Sequence, residues 1–224
     1  MALIYWPRMP SAFFYGAALD PSRSADFLSA LYLSLVALAT LGFGDIVPSG
    51  EVMRILLPLE ALVGFVLFTA AISWILQVYP VLSRRRRLAR HLNILARTDS
   101  LRVVRTGDIR VATALINSVT DGVISAEVDF KQYGETYYFR EREPHESLAA
   151  NIGFLEDLQG AGMSVEAAEV RHASHALQRA IEALAHTIPA GNMRAEGSVT
   201  ATFEAFALDH QQPPPEAPTK TGPF

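Results

Sequence analysis

Apolar positions fall into two regimes along the 224 residues. From Phe27 to Leu82 only Asp45, Glu51, Arg54 and Glu60 carry charge, whereas the chain after Ser83 mixes polar, charged and apolar positions as a water-exposed domain does. Ile55 to Leu82 is a run of 28 residues whose most polar members are Glu60 and Gln77. A bilayer core needs about 20 apolar helical residues, so this run predicts one transmembrane helix. Phe27 to Ala39 is equally apolar but only 13 residues long, which predicts a short re-entrant helix. Met1 to Trp6 is apolar too, but Pro7, Arg8 and Pro10 interrupt it before any window reaches spanning length.

Beyond the span the pattern predicts mostly helix. Leu88 to Ala96 continues from the arginine run, and Ile109, Ala112, Leu115, Ile116 and Val119 keep a helical spacing. Val123 to Phe139 alternates more like strand and turns at Tyr133-Gly134-Glu135, which predicts a short hairpin. Glu146 to Leu158 reads as a helix ending near Gly160 and Gly162. Ser164 is placed to cap a further helix that runs to about His186 and stops at Pro189-Ala190-Gly191. Val199 to Leu208 suits a short helix or strand. Gln211 to Phe224 holds five prolines in 14 residues and predicts a disordered tail.

Arg84, Arg85, Arg86, Arg87 and Arg90 follow the span at once. Such a cluster places that end in the cytoplasm, anchors it at the lipid surface, and puts the residues before Ile55 outside. The expected organisation is an extracellular loop and turret over 1–26, a pore domain over 27–82, a basic linker over 83–98, a mainly helical cytoplasmic domain over 99–209 and a tail over 210–224. The fold class is a mostly α membrane protein. There are no cysteines, which excludes disulfides and thiolate metal sites, and a net charge of −4 gives no case for nucleic acid.

Between the short helix and the span lies Thr40-Leu41-Gly42-Phe43-Gly44-Asp45. A potassium ion gives up its water only where oxygens replace it at similar distances. The carbonyls of Thr40, Leu41, Gly42 and Phe43, with the Thr40 hydroxyl, supply such oxygens when four chains converge. Carbonyls that share one direction need dihedrals that L-residues disfavour, and Gly42 and Gly44 remove that penalty. Leu41 and Phe43 are left to face outward into packing, and Asp45 to attract cations at the outer mouth.

These residues resemble the filter of the pore-loop potassium channels, in particular the prokaryotic two-transmembrane group, from about Leu28 to Leu82. The resemblance implies a homotetramer of this chain with three further copies of itself in a plasma membrane of bacterial type, potassium as the transported ion, and no cofactor. It also implies that Ala30 to Ser34 belongs to the pore helix, with Tyr32 in the aromatic cuff, and that Glu60 is a supporting acid of a type seen in bacterial relatives. Gly64, 19 residues after Asp45, corresponds to a gating-hinge glycine. Pro80 is a second position where the helix can bend. Two departures stand out. The filter reads Leu-Gly-Phe-Gly where Val-Gly-Tyr-Gly is commonest, and Val36 stands where an acid would lie behind it. An outer helix before the turret is expected in the family and is not seen in this sequence; a start-site or fragment effect is the favoured explanation.

Other candidates are weaker. His172 and His175, one turn apart, suit a solvated face better than a metal. Glu141, Glu143 and Glu146 beside His145 suit a charged surface, and no nucleophile–base set points to an enzyme. Two alternatives to a potassium-selective pore remain: a weakly selective cation channel, and a non-conducting membrane adaptor that binds a partner through its C-terminal domain.

Overall fold

The computed structural model describes residues 1–189 and 198–212. The stop expected at Ala190-Gly191 and the prolines of the tail lie outside the described residues. The chain divides into two compact units, one ending at Leu76 and one beginning at Gln77.

In the first unit, residues 1–26 hold more than a loop. A single helical turn, α1 (Ala2–Tyr5), leads through a tight turn at Trp6–Arg8 into strand β1 (Phe13–Tyr15). Tyr5 is fully buried, with its ring edge-on to Phe13 at 6.0 Å. Helix α2 (Phe27–Leu38) follows. It starts where it does because the Asp26 carboxylate accepts the Ser29 amide at 2.9 Å, satisfying one of the free N-terminal donors. Strand β2 (Ile46–Pro48) pairs antiparallel with β1, Phe14 opposite Val47. Ala30 and Leu33 of α2 close a small core with Tyr5, Phe13, Ile46 and Met53.

Helix α3 (Glu51–Arg97) is 47 residues long, about 70 Å at the standard rise. It begins seven residues before Pro58 and continues through Pro80, so neither proline ends it. It is long and apolar enough to cross a membrane. Ile55, Leu62, Phe65, Phe68 and Leu76 are each more than half exposed in the single chain, as a surface meant for lipid or for other subunits would be.

The second unit is helical wherever it is regular. The last turns of α3 belong to it rather than forming a linker. Val78, Val81, Arg85, Leu88 and Leu92 are all buried, and their alternating spacing of three and four keeps one face inward. Helices α4 (Ser100–Thr106) and α5 (Ile109–Gln132) come next. They are followed by α6 (Leu148–Asn151), α7 (Phe154–Met163), α8 (Ala168–Thr187) and α9 (Val199–Asp209). Ile116, Val123, Leu158, Leu177 and Leu184 are fully buried in their common core. Gly162 lets α7 approach closely: a methyl group there would meet the Ser174 hydroxyl at 2.0 Å and Ile116 at 3.0 Å.

Three local expectations are corrected. The hairpin over Val123–Phe139 is instead the end of α5 and a 3-10 turn at Gly134–Tyr138. Ile116, Val119, Val123, Ala126 and Phe130 step by three and four into the core, and this burial outweighs the alternation read around Val128 and Phe130. Ser164 does not cap α8. It follows α7 and returns its hydroxyl to the Ala161 carbonyl at 2.6 Å. The helix expected over Glu146–Leu158 is broken between α6 and α7, and α7 then runs through Gly160 and Gly162.

Candidate functional site

The site is the loop joining α2 to β2. Helix α2 ends in a Schellman motif: the Leu41 amide donates to the Val36 carbonyl and the Thr40 amide to the Ala37 carbonyl, both at 2.9 Å. The motif requires a left-handed residue at Thr40, and its φ is +56°. Glycine is the usual occupant, and a β-branched residue there is strained by about 1–2 kcal/mol. Gly42 (φ +56°) and Gly44 (φ +78°) repeat the left-handed conformation. Every second residue from Thr40 to Gly44 therefore has positive φ, with Leu41 and Phe43 between them. Along an ordinary extended strand successive carbonyls point to opposite sides. Reversing the sign of φ at alternate residues is the way a short chain turns them to one side. The side chains of Leu41 and Phe43 stand 59% and 65% exposed, apolar surface left uncovered by this chain alone.

Both ends of the loop are fixed. At the far end, the Gly16 amide donates to the Asp45 carbonyl at 2.7 Å, and the Tyr32 hydroxyl donates to Asp45 Oδ2 at 2.7 Å. Behind it, Glu60 of α3 is buried (5% exposed), with Ser34 donating to Oε1 at 2.5 Å and Tyr5 to Oε2 at 2.7 Å. The resemblance marks Tyr32 and Glu60 as supports; the sequence gives no sign that Tyr5 is the second hydroxyl on the Glu60 carboxylate.

Gly64 lies where α3 meets the end of α2. A methyl group on it would sit 1.8 Å from the Leu38 carbonyl oxygen, and α3 is unbroken at this residue. It is a contact point between two backbones. Gly64→Ala is expected to destabilise the first unit by about 3 kcal/mol, the upper part of the range for overpacking, because backbone cannot yield as a side chain does. Thermal unfolding of the full chain in detergent checks this; an unchanged midpoint would contradict the contact.

The arginine run does not act as a block. Arg84 grips Asp129 with two bonds, Nε–Oδ2 at 2.9 Å and Nη2–Oδ1 at 2.5 Å, and this hydrogen bonding raises its pKa further. Arg85 is 3% exposed. It donates to Glu141 Oε1 at 2.6 Å, the Thr136 carbonyl at 2.6 Å and the Phe139 carbonyl at 2.7 Å, with its guanidinium carbon 5.9 Å from the centre of the Phe130 ring. A guanidinium enclosed in this way is not presented to lipid, so the anchor role expected of Arg85 is corrected; Arg84, paired with Asp129, is still 44% exposed, and Arg86 and Arg87 are exposed. Nearby, His210 is buried between Tyr137 and Phe206, its Nδ1 unpartnered; burial, then the charge of Arg85, lowers its pKa. His172 and His175 are exposed on α8. Glu141 is committed to Arg85, while Glu146 faces Arg90 at 3.5 Å, so the acidic cluster does not converge. Among the described residues no group of three or more His, Cys, Asp or Glu is arranged to hold a metal.

A short apolar helix, a loop pinned at both ends and a helix long and apolar enough to cross a membrane follow one another in the first unit. Residues 9–79 match the family model described as "Ion channel", a match that supports a pore-loop channel segment of the two-transmembrane type. No curated protein and no solved structure gives a significant match to the chain.

Proposed function

We propose that four copies of this chain form a potassium-selective pore, with Thr40–Gly44 as its filter. The observation that carries the reading is the alternation of left-handed dihedrals at Thr40, Gly42 and Gly44. Threonine at the first of these is the telling residue. The helix cap would be better served by glycine, so strain is retained where a hydroxyl can join the carbonyls as an ion ligand. The carbonyls of Thr40, Leu41, Gly42 and Phe43 then replace the hydration shell, and ions move by mutual repulsion between adjacent sites. Asp45 stands at the outer mouth, held by Tyr32. Glu60 braces the pore helix through Ser34. The exposed faces of Leu41, Phe43 and the first half of α3 are covered by neighbouring copies or by lipid. Gly64 serves as a packing contact in this conformation, and a gating bend at Gly64 or Pro80 would have to break the helix seen here. Arg86 and Arg87 keep the inner end of α3 in the cytoplasm, with the C-terminal unit beneath the membrane.

A second reading, a cation pore of relaxed selectivity, is favoured by Phe43. It has no hydroxyl with which to tie the filter sideways, and the Tyr32 hydroxyl is engaged with Asp45. Reversal potentials of the reconstituted chain under opposed potassium and sodium gradients separate the two. A potential following the potassium gradient is expected. One midway between the two gradients would favour the second reading, and absence of conductance would remove both.

A further inference from the structure

We infer that Tyr5 is a positioning residue of the proposed filter: its hydroxyl fixes the Glu60 carboxylate, which holds through Ser34 the end of α2 from which residues 40–44 hang. The inference rests on the pore reading and adds to it a group that lies outside both the short helix and the span. Tyr5 is fully buried, and the hydroxyl is the only polar group of its side chain. That hydroxyl donates to Glu60 Oε2 at 2.7 Å, while Ser34 donates to Oε1 at 2.5 Å. Glu60 is 5% exposed, so neither oxygen can turn to bulk water for a replacement partner. The α-amino group lies 3.8 Å from Oε1, beyond hydrogen-bond reach. Two donors on two different oxygens leave the carboxylate one orientation. Without Tyr5, Oε2 is stranded, and the carboxylate gains by turning at the expense of the Ser34 bond.

The ring of Tyr5 needs no hydroxyl for its packing. It meets Phe13 edge-on at 6.0 Å in a core shared with Ala30, Leu33 and Met53, and its neighbour Trp6 meets Phe27, the first residue of α2, at 5.8 Å. Phenylalanine would fill the same space, so what sets tyrosine apart at this position is the acid it reaches. The path from that acid to the loop is short. Glu60 and Gly64 stand one turn apart on α3, and the residues they meet, Ser34 and Leu38, stand one turn apart on α2. These two contacts set the register between the helices. Val36 and Ala37 lie between them on α2 and supply the carbonyls that take the Leu41 and Thr40 amides. A shift of α2 at Ser34 is therefore a shift of the first residues of the loop.

The test is a double-mutant cycle on the full chain in detergent, Tyr5→Phe with Ser34→Ala, read by hydrogen exchange at the Thr40 and Leu41 amides. Tyr5→Phe removes a bond to a buried charged acceptor and is expected to raise exchange there about tenfold or more. Ser34→Ala should do the same. Both act through one carboxylate, so the double variant should exchange within about twofold of the faster single variant. Multiplied effects would overturn the inference, because a packing role for Tyr5 would not pass through Ser34. So would exchange in Tyr5→Phe equal to that of the wild type. Should Tyr5→Phe fail to fold, combining it with Glu60→Met removes the stranded carboxylate as well: recovery of the folded species on size-exclusion chromatography supports the inference, and no recovery overturns it. Hydrogen exchange needs no conduction. A wild-type chain that passes no potassium but shows the non-additive cycle would remove the pore and leave Tyr5 as the brace of this loop. A conducting chain with a multiplicative cycle would keep the pore and remove the brace.

Discussion

Gly42→Ala is expected to abolish potassium flux from liposomes while leaving the protein folded and assembled. Nothing lies within 4 Å of the position a Cβ would take in the single chain, so a steric clash is not the cause. The cause is the dihedral: at φ +56° an alanine is strained by about 1–2 kcal/mol. In the proposed ring of four copies this adds to about 4–8 kcal/mol, which would be relieved by turning a carbonyl away from the axis. Even the lower figure lowers the population of the conducting form about a thousandfold. The measurement is potassium efflux from liposomes, with size-exclusion chromatography to confirm that the variant assembles as the parent does. Flux within a few-fold of the parent would remove residues 40–44 as the filter.

Arg85→Ala should have the largest effect on stability. It strands Glu141, whose side chain is 5% exposed, leaves the Phe139 carbonyl without its donor, and leaves the Thr136 carbonyl only the Phe139 amide at 3.2 Å. Removing one partner of a buried ion pair costs about 3–5 kcal/mol. For a unit of this size that lowers the unfolding midpoint by roughly 10–15 °C. Circular dichroism melting of the full chain in detergent reads it. Combining Arg85→Met with Glu141→Leu should recover part of the loss, because the uncompensated charge is then gone. A drop under about 1 kcal/mol in the single variant would mean that solvent reaches Glu141 and that the pair is not enclosed.

The helices of the first unit were legible because their signals are local. An apolar run long enough to span with Glu60 its one charge, a shorter one before it and a glycine-spaced loop between them each follow from a few adjacent residues. What escaped was set by distant partners. Nothing near Tyr5 indicates that its hydroxyl meets a carboxylate 55 positions later. Nor does the arginine run reveal which of its members turn inward, although Arg85 continues the buried spacing of Val78, Val81, Leu88 and Leu92, and that spacing could have singled it out. The hairpin error arose the same way: alternation around Val128 to Phe139 looked extended, yet α8 and α9 supply the core that makes a helical face at Phe130 pay.

The Schellman turn at one end of the loop and the Gly16–Asp45 and Tyr32–Asp45 bonds at the other act as two abutments. A strip held this way buckles only along its free middle, Leu41 to Gly44. A single peptide there can rotate and reverse without any displacement of α2 or β2. A change in this loop would then be private to each chain and invisible to probes attached to the helices.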